Sequence, residues 1–347
     1  MADAYTVSRL GEAYGGSSDA YELFLKTFSG EVLAAFEERN IMMPLHTVRT
    51  ITSGKSAQFP MTGVATASYH VPGNELTGAS LNHAERVISI DNLLVSQAFV
   101  ANIDEAMTHY DVRGIYSREL GYALANHADK AVIRTLIAGS LDTTDAVNGT
   151  GGHTVTTGGA TGDNVIDGIL SAAQGLDERN IPQSDRFAVL TPAAFYAVLK
   201  SAGTADTAGA ILSRDYGPGG SVLQGGGQAL TVGGVQCFMS THIPTGDEDG
   251  TGGSVDSVLG DTSDGVRNDP FGAEGGNIGT AAGYSGVDFS NYQGVVFHRS
   301  GAGTVKLLDL AVESDYQVHR QGTIMVAKYA MGHNFLRASA CVGLKSA

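Results

Sequence analysis

Large apolar residues recur at every fourth position near the start of the chain, at Phe24, Phe28, Val32 and Phe36. This spacing places them on one face of an α-helix, and Ser18 or Asp19 can cap the start of that helix. The pattern ends near Asn40, and the small, polar residues 1–17 predict a flexible tail before it. An amphipathic helix of this length either docks on a neighbouring molecule or folds back on its own domain.

Beyond this helix the apolar positions change to a period of two, which is typical of β-strands. Apolar residues alternate with polar ones over 57–62 and again over 65–71, on either side of Gly63. Two such runs around a glycine predict a long hairpin. Pro60 and Pro72 cannot donate ladder hydrogen bonds, so both strands are expected at sheet edges. Because a two-stranded hairpin is only marginally stable alone, its open edges predict a contact with another surface.

The clearest helix of the chain is predicted from about residue 103 to 138. Asn102 can cap its start and Glu105 completes a capping box, while Gly139 is the predicted stop. One face is apolar at steps of three and four, with Leu120, Ala123, Leu124, Ala128, Ala131, Val132 and Leu136. The polar faces carry Arg118, Glu119, Asp129, Lys130 and Arg134. At a rise of about 1.5 Å per residue, such a helix is about 50 Å long.

The rest of the chain alternates between strand and helix patterns. Residues 142–163 are rich in Thr, Gly and Asp and predict a surface loop. Helices are predicted over Val165–Leu176 and from Pro192 to Leu199. Strands are predicted at Arg86–Asp91, Phe187–Leu190, Val235–Met239 and Gly294–His298, through Val305–Met331 with Gly332 and His333 ending the run, and at Ala338–Leu344. The mixture predicts an α+β protein with a mixed α/β lobe.

Residues 245–285 differ from the rest in composition, with eleven glycines, eight acidic residues and one basic residue. The segment is too long for a simple turn and predicts a solvated, low-complexity insertion. A contact around a symmetry axis, an outward-facing patch and a calcium site are the functional alternatives. The spacing of its aspartates, Asp247, Asp249, Asp261 and Asp264, does not match an EF-hand loop, so no metal site is predicted.

Composition narrows the class of protein. Of 347 residues, 42% are hydrophobic, 16% are charged and 47 are glycine, which is compatible with a subunit that covers weakly polar surface against neighbours. A net charge of −15 argues against a dedicated nucleic-acid binder, which needs clustered Lys and Arg. Cys237 and Cys341 are far apart, which predicts free thiols. Neither a secretory signal nor an apolar run long enough for a membrane span is found.

Catalytic and cofactor motifs were sought and no complete one was found. Gly54-Lys55-Ser56 matches the end of a phosphate-binding loop, but Arg49 occupies the position of the earlier glycine. The segment also lies in a predicted hairpin rather than between a strand and a helix. GxGxxG, HExxH and GxSxG are absent. The chain is therefore predicted not to be an enzyme and to hold no cofactor.

Three stretches carry a resemblance to a known family: Ser53–Pro60, then Asn102–Met107 with Tyr110–Arg113, then Gly303–Leu307 with Ile324–His333. In order and spacing they resemble the major capsid proteins of T-seven-like short-tailed bacteriophages, which have the Hong Kong 97 fold. The resemblance spans nearly the whole chain and is weakest between about 142 and 290. It departs after Leu336-Arg337, where Ala338-Ser339 stands in place of the Pro-Glu common in relatives.

The resemblance implies a domain organisation with an N-terminal arm, an extended E-loop, a P-domain with a long spine helix and an A-domain. The implied segments are an N-terminal arm at 1–45, a P-domain strand at 46–56, the E-loop at 57–84, the P-domain with its spine helix at 85–163, the A-domain with the acidic loop at 164–299, P-domain return strands at 300–334, and a final A-domain strand at 335–347. With its first helix near residue 18, the chain is expected to have no fused scaffolding domain.

The implied function is self-assembly into hexamers and pentamers of an icosahedral phage head. Implied partners are other copies of the chain, a separate scaffolding protein, a portal protein at one vertex and packaged double-stranded DNA contacted without sequence specificity, with no membrane involved. Assembly is expected in the host bacterial cytoplasm and the protein in the virion. The alternatives are an encapsulin-type cellular compartment and a soluble enzyme or adhesin with a chance match.

Five residues are the candidate contacts between copies: Lys55, Phe59 and Tyr69 in the proposed E-loop, and Phe24 and Phe28 in the terminal helix. Packing within a single subunit is the alternative for each of them. Some shells of this fold join an E-loop lysine to a neighbour's asparagine, which makes Lys55 a conceivable cross-linking residue. T-seven-like shells are not expected to cross-link, so Lys55 is interpreted as an ion-pair donor.

Overall fold

The computed structural model describes residues 41–63, 81–90, 93–107, 112–142, 150–201, 230–244 and 291–347, together with Phe289 and single positions between 65 and 78. The helices in this part of the chain are α1 (Asn102–Met107), α2 (Val112–Leu141), α3 (Gly162–Glu178) and α4 (Pro192–Ser201). The strands are β1 (Thr47–Thr50), β2 (Ser56–Thr62), β3 (His83–Ser89), β4 (Leu94–Ala101), β5 (His153–Thr157), β6 (Arg186–Leu190), β7 (Leu230–Val232), β8 (Val235–Met239), β9 (Tyr292–His298), β10 (Ala302–Gln317), β11 (Gly322–Phe335) and β12 (Cys341–Ser346).

The described residues fall into two compact units. The smaller unit comprises Asn92–Ala128 and Leu307–Met331, and the larger comprises Ile41–Asp91, Asp129–Lys306 and Gly332–Ala347. Helix α2 and strands β10 and β11 each contribute residues to both units. Within the described residues, no helix has the length and apolar character needed to span a bilayer.

A six-stranded sheet with the order β5-β12-β9-β6-β8-β7 lies in the larger unit. Strand β12 runs parallel to β5 and antiparallel to β9, and β6 runs antiparallel to β9 and parallel to β8. Helix α3 is amphipathic and buries Val165, Ile169 and Leu176 in a core that also contains Phe195 and Val198 of α4. The 3.6-residue period of these positions explains why both helices were predicted from the sequence.

A second core of the larger unit surrounds the last three turns of α2. Val132, Ile133 and Leu136 pack there with Met42 and Phe335, and all five side chains are buried. Strand β1 lies parallel to the start of β10, and β2 pairs with β3 in a separate two-stranded sheet. The paired strands β2 and β3, with the preceding Lys55 and the residues between the strands, are called the arm below, as distinct from the N-terminal arm.

The smaller unit contains β4, which runs antiparallel to β11 from Ala101 opposite Gly322 to Leu94 opposite Tyr329. Strands β4, β11 and β10 are neighbours in a four-stranded sheet that ends with β1. Val100 and Met325 are buried against Tyr116 and Leu120 of α2. The strand β4 has no counterpart among the elements predicted from the sequence.

The predicted hairpin is wrong in its second strand. The run over 57–62 is β2, but it pairs with β3, which was itself predicted a few residues too late. The described positions between 65 and 71 lie outside any strand. In the observed register Ala57 lies opposite Ile88, and both are buried in a cluster with Val305. A large apolar partner therefore selects β3, whereas Ala65, Ala67 and Tyr69 of the second run are all exposed.

The predicted helix stop at Gly139 is also wrong, because α2 continues to Leu141. A Cβ atom at Gly139 would lie 3.1 Å from Cβ of Phe335 and 3.3 Å from Sγ of Cys341. The glycine is required by the close approach of another element and does not end the helix. Residues 108–111, between α1 and α2, lie outside the described residues.

Three further boundaries differ from the prediction. The loop expected at 142–163 contains β5, whose partner β12 comes from the far end of the chain. Strand β11 continues through Gly332 and His333, and the final strand begins only after a short 3₁₀ turn at Ala338–Ala340. The helix predicted before Asn40 and the acidic segment at 245–285 lie outside the described residues.

Candidate assembly site

Two of the five predicted contact residues have exposed side chains. Lys55 precedes β2, and its carbonyl oxygen accepts a hydrogen bond from the amide of Ile90 at 2.8 Å. The backbone at Lys55 is thereby held at the base of the arm while its ammonium group stays exposed. Tyr69, between β2 and β3, is fully exposed. Phe24 and Phe28 lie outside the described residues.

Phe59, the third contact candidate of the arm, packs within its own chain. Its half-buried ring lies against the cluster of Ala57 and Ile88, and the Arg49 guanidinium lies 5.7 Å from the ring centroid. Arg49 also donates a hydrogen bond to the carbonyl oxygen of Gln58 at 3.0 Å. These contacts fix Phe59 at the root of the arm and leave only part of its ring for another copy.

The other strand of the arm is anchored by Arg86. Its guanidinium lies 4.2 Å from the centroid of the Phe335 ring and 3.8 Å from a carboxylate oxygen of Asp142, which follows α2. The next anchor is a backbone contact, since a Cβ atom at Gly332 would lie 2.0 Å from the carbonyl oxygen of Ser89. The base of the arm is therefore bound to β11 and to the end of α2.

A buried carboxylate holds the first described residues. Asp129 of α2 is fully buried, and its Oδ2 accepts a hydrogen bond from the Ile41 amide at 2.8 Å. Its Oδ1 accepts one from the Met42 amide at 3.2 Å. Nδ1 of His242, which follows β8, lies 3.6 Å from Oδ2. Three segments that are far apart in sequence therefore meet at one carboxylate.

Two buried histidines, His46 and His333, are linked through the hydroxyl group of Thr304. His46 Nδ1 lies 2.6 Å from the Met42 carbonyl oxygen, so this nitrogen carries the proton. When His46 is neutral, its Nε2, 2.6 Å from Thr304 Oγ1, accepts the hydroxyl proton. Thr304 Oγ1 is also 2.8 Å from His333 Nδ1, which donates to it. The protons on His46 Nδ1, Thr304 Oγ1 and His333 Nδ1 then each have one acceptor. This set of hydrogen bonds exists only when His46 is neutral.

The surroundings of His46 favour that neutral form. Burial lowers its pKa from 6.5 to about 4, because a charged imidazole loses its hydration there. Lys306 and Arg299 lower the pKa further, while the hydrogen bond to Met42 and the charge of Asp129 oppose the shift. His46 is therefore uncharged at neutral pH.

An exposed apolar patch lies on the smaller unit. Ile103 of α1 is 66% exposed, Val318 in the turn between β10 and β11 is 67% exposed, and Tyr316 is 46% exposed. Asn102 joins the two segments, with its Nδ2 donating to the Tyr316 hydroxyl at 2.9 Å and its amide donating to the Gln321 carbonyl at 3.0 Å. We call Ile103, Tyr316 and Val318 the apolar patch.

A buried arginine fixes the segment between α3 and β6. Arg186 is 4% exposed, and its NH2 donates to Asp177 Oδ1 at 2.6 Å while its Nε donates to the Pro182 carbonyl at 2.8 Å. The hydrogen bond from Arg186 lowers the pKa of the exposed Asp177 carboxyl group. This pair stabilises the connection between α3 and β6 and lies on different elements from Asp129.

The buried polar residues were not recognised as such in the sequence. Asp129 and Arg134 fall on what the pattern indicates is a polar helix face, yet both are buried. His46 and Thr304 stand 258 positions apart, so no local spacing relates them. The only sequence signal was indirect, since a charged residue next to the apolar stripe of a long helix is placed near the core.

Metal-binding clusters and reactive thiols are two further kinds of site that the described residues could form. Across the described ranges, no group of three or more His, Cys, Asp or Glu side chains is arranged to hold a metal ion. Cys237 and Cys341 are free and buried, and burial raises the pKa of both thiols to about 12. Both thiols are therefore protonated at neutral pH and poorly reactive.

The architecture defines a class of protein. The parts of a Hong Kong 97-type capsid subunit are present: a long helix and a pair of long strands that contribute to both units, a separate two-stranded arm, and a six-stranded mixed sheet with two helices. The chain belongs to the family of Gp10A-like major capsid proteins, whose family model matches residues 58–345.

Relatives and solved structures agree with this assignment. The chain is 35% identical over 342 residues to the major capsid protein of Enterobacteria phage T3, covering 93% of this chain and 91% of the relative. It is 33% identical over 346 residues to the major capsid protein of Escherichia phage T7, covering 95% and 93%. The capsid structure of cyanophage P-SCSP1u matches with a TM-score of 0.72 and 34% identity over 99% of both chains.

A more distant structure supports the fold alone. The mature capsid of bacteriophage PhiM1 has a TM-score of 0.66 at 18% identity, covering 98% of this chain and 96% of that one. The predicted family, the α+β Hong Kong 97-type fold and the predicted role as a phage major capsid protein are confirmed. An encapsulin-type compartment is not favoured by these comparisons.

Proposed function

We propose that this chain assembles with copies of itself into hexamers and pentamers that close an icosahedral phage head around double-stranded DNA. The observation that carries the proposal is the match to the cyanophage capsid over 99% of both chains at 34% identity. Identity at this level over a full chain supports a shared assembly role and not only a shared fold.

Assembly of this kind requires many contacts of modest strength. Specific interfaces bury about 1,200–2,000 Å², and a closed shell repeats each interface many times. Weak individual contacts allow a wrongly placed subunit to dissociate before the lattice closes. Arms and lobes then shift between an expanded and a compact shell as scaffold leaves and DNA enters.

The proposed contacts belong to three parts of the chain: the arm, the N-terminal arm and the apolar patch. Lys55 and Tyr69 have exposed side chains, and Phe59 contributes the exposed part of its ring, so the arm presents these three groups to an adjacent copy. Phe24 and Phe28 are proposed contacts of the N-terminal arm. To these we add the apolar patch, because its three large exposed side chains lie on segments that Asn102 joins by hydrogen bonds, and water solvates such side chains poorly.

The proposal assigns the segments to the domains of the fold. Residues 1–45 are the N-terminal arm and 57–84 the E-loop, which lies across an adjacent copy. Residues 46–56, 85–163 and 300–334 form the P-domain, with α2 as most of its spine helix. The A-domain comprises 164–299, including the acidic segment at 245–285, and 335–347.

Further partners follow from the same proposal. They are a separate scaffolding protein, a portal protein at one vertex and the packaged DNA, which is contacted without sequence specificity because the net charge is −15. Assembly takes place in the host cytoplasm, and the subunit has no enzymatic activity. Lys55 makes no covalent bond, so denaturing gels of mature particles are expected to show only the monomeric chain, and a ladder of cross-linked species would contradict this.

The test is electron microscopy of the chain expressed with and without the scaffolding protein of its phage. Closed, uniform shells with scaffold, and irregular or no shells without it, are expected. A chain that stays monomeric at high concentration with scaffold present would overturn the proposal. Particles purified from infected cells that carry cargo enzymes and no DNA would identify a cellular compartment instead.

A further inference from the structure

We propose that Asp129 is a positioning residue for assembly, which fastens the chain at Ile41 and Met42 and so fixes the point where residues 1–40 join the body of the subunit. The inference rests on the proposed role of residues 1–45 as an arm that contacts another copy. In this proposal, one buried carboxylate fixes the point at which the N-terminal arm is attached to the subunit.

The geometry singles out this carboxylate. Asp129 has no exposed surface, yet both of its oxygens are used by consecutive backbone amides, Ile41 at 2.8 Å and Met42 at 3.2 Å. Burying a carboxylate is costly, and an apolar side chain of similar size would fill the same space without that cost. What an apolar side chain cannot do is hold two successive amides in a defined direction.

The anchored segment is held from other sides as well. The Met42 side chain is fully buried in the core beside Val132, and the Met42 carbonyl oxygen accepts from His46 Nδ1 at 2.6 Å and from the Leu45 amide at 3.0 Å. Both the donor and the acceptor side of the backbone at residue 42 are therefore engaged. At residue 41 the amide donates to Asp129 and the half-buried side chain packs against the same core, so this carboxylate holds the backbone where the described residues begin.

The attachment point of the N-terminal arm matters because the arm is tethered to its own subunit while it contacts a neighbouring copy. Phe24 lies 17 residues before Ile41, and Phe28 lies 13 residues before it. The effective concentration of such tethered contacts at a neighbour depends on where and how firmly the tether is attached. If the attachment at Ile41 and Met42 is loosened, the N-terminal arm samples more positions. Assembly then slows although no contact residue has changed.

The first experiment measures amide hydrogen exchange in the unassembled full chain. Asp129→Asn leaves one acceptor oxygen for two amides, so exchange at Ile41 and Met42 is expected to rise at least about tenfold. Asp177→Asn is the matched control, because it also removes a helical carboxylate that accepts a hydrogen bond, and it should leave these two amides unchanged. Equal exchange in Asp129→Asn and wild type, or an equal rise in the control, would overturn the inference.

The second experiment measures the rate of shell formation with scaffold by light scattering. Asp129→Asn is expected to assemble several-fold more slowly than Asp177→Asn. Combined with Phe24→Ala and Phe28→Ala, it should assemble no more slowly than the slower parent, because both changes act through the same arm. Fully additive effects would show that Asp129 acts elsewhere and would overturn the inference.

The two proposals fail in different ways. If Phe24→Ala with Phe28→Ala assembles like wild type, those contact residues are wrong, and the exchange experiment still decides whether Asp129 fixes the root. If Asp129→Asn does not fold, the wild-type chain decides the question. Its Ile41 and Met42 amides are expected to exchange at least about 100-fold more slowly than free peptide amides, and unprotected amides would overturn the inference.

Discussion

His46 makes the stability of the subunit depend on pH. Its pKa is about 4 in the folded chain and near 6.5 when unfolded, so between these values the unfolded chain binds the additional proton. The stabilisation is complete above pH 6.5 and is lost as the pH falls towards 4. A shift of this size corresponds to at most about 3 kcal/mol. His153 and His298, whose pKa values are lowered by burial, act in the same direction.

His46→Gln isolates this contribution. Glutamine can still exchange hydrogen bonds with the Met42 carbonyl and Thr304 but does not titrate, so any loss of stability at pH 7 comes from its different shape and not from protonation. The free energy of unfolding of the variant should fall less between pH 6.5 and 4 than that of wild type. Urea unfolding of the unassembled chain across this range measures both slopes. Parallel curves for wild type and variant would contradict the assignment.

A single glycine makes the most restrictive backbone contact at the base of the arm. A Cβ atom at Gly332 would lie 2.0 Å from the Ser89 carbonyl oxygen, and backbone atoms cannot move aside as a flexible side chain can. Gly332→Ala should therefore lower the free energy of unfolding by about 2 kcal/mol or more. Gly78→Ala is the control, since no atom lies within 4 Å of its Cβ position, and its stability should match wild type. Chemical unfolding of both variants gives the comparison, and equal midpoints would contradict the close approach.

At the scale of elements, periodicity predicted the existence of segments better than their ends and partners. Helices α3 and α4 and strands β6 and β8 were predicted because each buries a regular set of side chains. Strand β5 was missed because its partner lies at the other end of the chain. The sequence predicts a helix stop at Gly139 because the close approach of Phe335 cannot be seen in it.

The arm shows the same limit more sharply. Alternation identified β2 and gave each residue a face, but strand pairing is decided by what lies beneath the sheet. Ala57 opposite Ile88 buries both over Val305, and only this tertiary contact distinguishes β3 from the run at 65–71. Of the candidate contacts, Lys55 and Tyr69 have exposed side chains, whereas Phe59 is half-buried against its own chain.

The register of the arm can be tested with two adjacent residues of β3. Ile88 is 1% exposed and its neighbour Val87 is 40% exposed, because successive side chains of a strand point to opposite faces. Ile88→Ala should lower the free energy of unfolding by about 2–5 kcal/mol, and Val87→Ala by less than about 1 kcal/mol. Equilibrium unfolding of the unassembled chain measures both. A larger loss for Val87→Ala would mean that the register is shifted by one residue.

At the scale of the whole molecule, function was predictable from the sequence only through resemblance. No single residue of the three matching stretches performs chemistry, and the subunit stabilises a shell through surfaces that are spread over the chain. The polar groups at Asp129, His46 and Arg86 explain how one subunit holds its first described residues and the base of the arm. The exposed groups, including the apolar patch, are the contacts that we propose for another copy.

The apolar patch provides the most direct test that exposed surface serves assembly. Val318 is 67% exposed, so Val318→Asp should change the free energy of unfolding by less than about 0.5 kcal/mol. In an interface, however, the same change buries an unpaired carboxylate, and shell formation with scaffold should fall severely. Val318→Thr keeps the shape of the side chain and should assemble much more nearly like wild type, while Ile103→Asp should repeat the defect from the other side of the patch. Light scattering and electron microscopy of the three variants measure assembly, and normal shells from both aspartate variants would show that this surface stays in contact with water.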